Sequence, residues 1–191
     1  MEAQKLQTVV DLQDANDGQQ RIELIDGEIV KRPMARSEHA LTQSDLSGQF
    51  FPLSRRSGSG GWWIMTEISV RYNEHHCPVH DLAGWCKERV SKRPTGIMDV
   101  LPDWVCEITS PGHERKDTIT HLLRLQANKV PYYWLISPED KTLIVYALEN
   151  EHYRVAFSME YSPDVSCDQL SIPPFEGHPI DLGFIFGVDE D

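Results

Sequence analysis

The sequence predicts an α/β (α+β) protein built on one mixed β-sheet flanked by helices, and three observations carry that expectation. An Asp26-Gly27 dipeptide separates two apolar runs in R-I-E-L-I-D-G-E-I-V-K-R, a strong short-range hairpin signal. Segments rich in aromatic and β-branched residues recur at Trp62 to Tyr72, Val79 to Cys86, Asp103 to Ser110, Tyr132 to Ser137 and Lys141 to Leu148. Two helix-forming stretches interrupt them, one opening at Ser37 and one at about Glu114. Strands in series broken by helices imply a mixed sheet rather than a bundle or a pure sandwich.

Each element follows in order. Residues 1–20 read as a polar N-terminal segment, 21–186 as one domain and 187–191 as an acidic tail. Ser37 is placed to cap a helix that runs to about Phe51, with Pro52 stopping it. S-G-S-G-G at Ser57 to Gly61 is a flexible loop, Asn73 to Pro78 a turn, and Lys87 to Pro102 a charged surface excursion. The second helix, to about Asn128, sets Ile119, Leu122 and Leu123 on one face, with Asp117 and His121 one turn apart at its border. Ser-Pro-Glu-Asp joins two further strands, Tyr153 to Ser158 adds a third, and D-L-G-F-I-F packs back at the end.

Composition excludes some classes. No apolar run approaches the ~18 residues of a membrane helix, and the start lacks a basic then apolar leader, so the expected location is the cytoplasm, with no membrane partner. Four cysteines without paired spacing suit reduced thiols. Eighteen basic residues against thirty acidic ones leave a formal charge of −12, which argues against strong global attraction to nucleic acid. Basic side chains nevertheless gather at Lys31-Arg32, Arg36, Arg55-Arg56 and Lys87 to Arg93, enough for a local basic surface.

The candidate chemistry lies between His80 and His121. V-H-D-L-A-G-W-C puts Asp81 among apolar neighbours, and D-W-V-C-E-I-T-S puts Glu107 mid-strand. Alternation sets Val105, Glu107 and Thr109 on one side and Trp104, Cys106 and Ile108 on the other. A carboxylate in such a run is costly to bury without a partner, and two of them suggest a shared divalent cation. The bland reading is a pair of buried acids satisfied by hydrogen bonds or a salt bridge. His75, His76, Cys77, His80 and Cys86 are the densest set of zinc-type ligands, but their spacing matches no ordinary zinc pattern and reads better as a polar turn. Trp62-Trp63 and Tyr132-Tyr133-Trp134 suit core packing better than base stacking.

E-L-I-D-G-E-I-V, S-E-H opening a helix, H-D-L-A, P-D-W-V-C-E-I-T-S-P, R-K-D, V-P-Y-Y-W-L-I-S-P-E and D-L-G-F-I-F occur in one order that resembles the Uma-two family. That family belongs to the PD-(D/E)XK nuclease superfamily. The resemblance, over about Arg21 to Phe186, implies a restriction-endonuclease-like domain and Mg²⁺-dependent (Mn²⁺ as alternative) hydrolysis of DNA phosphodiesters, in a homodimer. It implies Asp81, Glu107 and the Ile108 carbonyl as metal ligands, and Asp81, Glu107, His121 and Glu28 as catalytic residues. His39, Lys116 and Asp117 would contact substrate. Two positions depart from the family pattern: His80 replaces a proline, and His121 stands where a lysine is expected, exchanging a permanent charge for a group that titrates near pH 6.5. The second reading is a nuclease fold kept as an interaction or regulatory module without catalysis.

Overall fold

The computed structural model describes residues 5–16, 18, 21–110, 114–162 and 170–187, with the side chains of 114–118 left aside. Its centre is a six-stranded sheet in the order β3 (Trp62–Ser69), β4 (Val79–Cys86), β5 (Trp104–Ile108), β6 (Tyr132–Ser137), β7 (Thr142–Glu149) and β8 (His152–Glu160). Neighbours are antiparallel except β5 and β6, which pair in parallel from Trp104↔Tyr132 to Ile108↔Ile136. A parallel pair needs a crossover, and α3 (Glu114–Ala127) supplies it. The Asp26-Gly27 turn closes a separate hairpin of β1 (Ile22–Ile25) and β2 (Glu28–Lys31), and Asp26 and Gly27 both take the positive φ such a turn demands.

Both faces of the central strands are covered, and the alternation read from the sequence decides which residue goes where. Trp104, Cys106 and Ile108 of β5, with Trp134 and Ile136 of β6, pack under Leu46, Phe50 and Leu53 of α2 (Ser37–Arg55). Val105 and Tyr133 point into the opposite layer, against Trp85, Met98 and Leu125. Ile172, Phe175, Ile180, Leu182 and Ile185 close the α2 side, the last two within the short α4 (Leu182–Ile185). The aromatic segments therefore build the core: Trp62, Trp104, Trp134 and Phe50 all surround Phe175 within 5.6 Å, centroid to centroid.

Three expectations change. α2 does not stop at Pro52 but runs to Arg55, and Ser37 is its first helical residue rather than its cap, which falls on Arg36 without a side-chain bond. Proline removes one N–H near the end, while Leu53 beyond it is buried, so packing holds the last turn. The polar N-terminal stretch contains α1 (Val9–Ala15), capped by a reciprocal Thr8–Asp11 pair and docked through Val9 and Leu12. The Lys87 to Pro102 excursion is tied down, because Met98 is buried and bridges Val70 while the Trp85 indole donates to the Val100 carbonyl at 2.8 Å. Among the described residues no helix is long and apolar enough to cross a membrane. Cys77, Cys86 and Cys106 are free thiols; Cys167 and the tail 188–191 lie outside the described residues.

Candidate metal centre

The ladder between β4 and β5 ends at Leu82↔Cys106. One step further, the Ile108 N–H donates to Asp81 Oδ2 at 2.8 Å, so a carboxylate stands where a strand partner's carbonyl would. Across β4 on its other side, Glu67 of β3 falls opposite Asp81, between the pairs Thr66↔Leu82 and Ile68↔His80. Glu67 has φ +50, a left-handed backbone that a non-glycine residue adopts only when its surroundings hold it there. From the first turn of α2, His39 reaches in with Nε2 3.4 Å from Asp81 Oδ1. One ligand atom each from His39, Glu67 and Asp81 lie within 4.8 Å of one another.

Arginines enclose these acids. Arg21 and Arg32 sit opposite each other past the open end of the β1–β2 hairpin, with the Arg32 N–H donating to the Arg21 carbonyl at 2.8 Å. Arg32 donates to Glu67 Oε2 at 2.6 Å and to Asp81 Oδ1 at 3.0 Å, and Arg21 pairs with the same Glu67 oxygen. Gln43 donates to the Asp81 carbonyl at 2.7 Å and to Glu67 Oε1 at 3.3 Å. A cavity of about 250 Å³ opens over the group, lined by Arg21, Arg32, Arg36, His39, Glu67 and Ser110 among others. A second, of about 230 Å³, shares Arg36, His39 and Ser110 with it and adds Thr109 and Glu139.

Glu107 stands beside this group and has different company. Its Oε2 lies 3.5 Å from the Asp81 N–H, and its Oε1 lies 2.5 Å from His80 Nδ1, whose Nε2 is 2.8 Å from the Tyr72 hydroxyl. The electrostatics divide accordingly. Burial would push Asp81 up, but His39, the Ile108 N–H and Arg32 hold it below its ordinary value. Glu67 is likewise held down, against burial, by Arg21, Arg32 and Gln43. Burial would lower His39, yet the Asp81 carboxylate raises it. Glu107 goes the other way: burial first, and the Asp81 charge second, push it up to about 8. Burial pulls His80 down to about 4. Burial thus opposes charge on both partners of the Glu107–His80 contact.

Asp81, Glu107, Ile108 and His39 are thus brought together, Ile108 through its N–H. His121 lines a small pocket with Tyr72, His76, Pro78, His80 and Arg124, on the Glu107 side, where its charge bears on Glu107. Glu28 stands exposed on β2, opposite Ile25 and outside the three-residue group. The side chains of Lys116 and Asp117 on α3 lie outside the described residues. The zinc-type residues go to separate places: His75 Nδ1 is 2.8 Å from the Gln7 carbonyl, His76 3.3 Å from Asp26, and Cys77 lies under α1.

Sequence reasoning passes over Glu67, Arg21 and Gln43, and places Arg32 only in a local basic cluster. Glu67 carried the same signal as Glu107, an acid inside the apolar run W-W-I-M-T-E-I-S-V, and that signal was sufficient to find it. Nothing local marks Arg21 or Gln43, and the Lys31-Arg32 pair carries no sign that Arg32 turns onto the acids.

The donor set of two carboxylates and one imidazole fits a divalent cation. The sequence matches the family Uma2, described as "Putative restriction endonuclease", over residues 6–171. No curated protein matches the chain. A crystal structure described as "a putative nuclease belonging to DUF820 from Anabaena variabilis ATCC 29413" superposes with a TM-score of 0.72 at 20% identity, covering 94% of this chain and 97% of that one. At that identity the likeness is one of fold.

Proposed function

The chain belongs to the Uma2 family of restriction-endonuclease-like proteins, and from that premise we propose that it is a metal-dependent endonuclease acting on DNA. The observation that carries the proposal is the convergence of His39, Glu67 and Asp81 beneath an arginine-lined cavity. Asp81 and Glu67, with His39 as a nitrogen donor, would hold Mn²⁺ or Mg²⁺, and Glu107 stands next to them. When bound, the cation polarises a phosphoryl oxygen and acidifies an attacking water. The chain's own residues do the rest. Arg21 and Arg36 offer positive charge to a phosphodiester, giving a protein of net charge −12 a local attraction for the backbone it acts on. Glu107 holds a proton at neutral pH, with His80 and Tyr72 behind it. His121 lines the pocket on the Glu107 side and brings an imidazole to it. A second copy of the chain belongs to this reading and is tested by sedimentation.

The test is cleavage of plasmid and duplex DNA with Mn²⁺, Mg²⁺ or no metal, for wild type, Asp81→Asn, Glu67→Gln and Glu107→Gln. The expected result is metal-dependent nicking, reduced to background in the Asp81 and Glu67 variants with their circular dichroism unchanged.

One observation favours the alternative, a nuclease fold retained as an interaction module. Arg21, Arg32 and His39 already compensate Glu67 and Asp81, so the acids have partners without any metal. On that reading neither cation raises the melting temperature and no cleavage occurs.

A further inference from the structure

Every carboxylate oxygen that a cation could use in the His39–Glu67–Asp81 group already has a donor. Asp81 Oδ1 is shared by Arg32 at 3.0 Å and His39 at 3.4 Å, and Oδ2 is taken by the Ile108 N–H at 2.8 Å. Glu67 Oε2 holds Arg21 and Arg32, and Oε1 holds Gln43. Among the described residues, Arg32 is the cation that touches both carboxylates, and its guanidinium spans them with one nitrogen on each. A divalent ion placed between those acids would meet that fixed positive charge at contact distance. Binding therefore requires the guanidinium to move.

It has somewhere to go. Arg32 follows directly on β2, at the start of the coil Arg32 to Arg36 that leads into α2, and among the described residues no strand pairing holds Pro33 to Ala35. Its side chain is 15% exposed and forms part of the wall of the 250 Å³ cavity, beside Arg21, Arg36, His39 and Ser110. The guanidinium fork matches a phosphate as well as it matches a carboxylate.

We infer that Arg32 is an exchangeable counter-ion: it neutralises Glu67 and Asp81 until a divalent cation takes them, and then transfers its hydrogen bonds to a phosphodiester in the adjoining cavity. This rests on the metal-dependent reading above and adds to it a coupling between the two ligands. Cation and phosphodiester each free what the other needs, so each should strengthen the binding of the other.

The experiment titrates Mn²⁺ by calorimetry into wild type, Arg32→Gln and Arg32→Lys. It then measures the affinity of a short, hydrolysis-resistant phosphorothioate duplex in saturating Mn²⁺. The expected result is Mn²⁺ binding about tenfold tighter or more in Arg32→Gln, the scale of an ordinary site-to-site coupling. Arg32→Lys, which keeps the charge but loses the two-pronged fork, should fall between Gln and wild type. It carries the same comparison alone if the Gln variant does not fold. Duplex affinity should drop several-fold in Arg32→Gln. Equal Mn²⁺ affinity in wild type and variants would make Arg32 a permanent salt bridge and overturn the exchange while leaving the metal site standing. Tighter Mn²⁺ binding with unchanged duplex affinity also overturns it, because the guanidinium then never reaches phosphate. If no form of the protein binds Mn²⁺, the metal-dependent reading falls and the exchange with it.

Discussion

Glu107 keeps at neutral pH a proton it would lose in water, and His80 stays neutral well below the pH at which it would charge there, with a measurable consequence. Glu107 titrates near 8 in the folded chain against an ordinary 4.5. The folded state therefore keeps a proton that the unfolded chain releases, and the stabilisation from this group is complete below about 4.5 and lost as pH rises through 8. His80 runs the other way: its folded value near 4, against 6.5, gives stabilisation present above 6.5 and lost as pH falls toward 4. His76, also drawn down to about 4 by burial, adds to that second slope. Between 4.5 and 6.5 the two directions oppose each other. Above 6.5 Glu107 acts together with His39, whose raised value works in the same direction, so the metal-free protein should lose melting temperature between pH 6.5 and 8. Glu107→Gln, which fixes the neutral form, should flatten that stretch of the curve; an unchanged slope in the variant would show that the proton sits elsewhere.

At the scale of elements, close approach of aromatic layers sets the tolerance of β4. A Cβ added at Gly84 would lie 3.1 Å from the Trp104 ring and 3.2 Å from the Trp62 ring, both buried in the α2-side core. Gly84→Ala should destabilise by about 1–3 kcal/mol, the usual cost of overpacking a filled core, read as a shift in the urea midpoint. α1 depends on its cap: Thr8 accepts from the Asp11 N–H, and Asp11 accepts in return from the Thr8 N–H at 2.7 Å. Thr8→Ala should cost about 1 kcal/mol, with a local rise in amide exchange over Val9–Ala15 before any global change. The Thr8–Asp11 spacing was visible in the sequence, but the surrounding polarity hid it. Two buried residues, Val9 and Leu12, are all the apolar surface this helix needs, too few for periodicity to announce it. Pro52 misled in the opposite sense, because a rule about backbone donors could not register that Leu53 would be buried.

For the molecule as a unit, the C-terminal segment completes the cover that α2 begins on one face of the sheet. Ile172, Phe175, Ile180, Leu182 and Ile185 lie on the α2 side with Trp62, Trp104 and Trp134, and Gln49 of α2 donates to the Asp181 carbonyl at 2.9 Å. Leu182→Ala should cost about 2–5 kcal/mol, as for other large-to-small changes in a closed core. Its effect should reach the global unfolding transition rather than the segment alone, since Leu182 shares one buried cluster with α2 and the central strands. Retention of the wild-type midpoint would mean that the segment is a dispensable cover. The strands, their buried faces, the family, and the presence of Asp81 and Glu107 on apolar strands are legible along the chain, because two-residue alternation and turn chemistry are written within a few positions of each residue. Which groups meet those acids is legible only in the folded molecule. Arg32 lies 35 residues from Glu67 and 49 from Asp81, and His39 lies 71 from Ser110. Charge compensation is settled by such distant neighbours, which depend on how the hairpin and α2 dock against the sheet and leave no periodic trace along the chain.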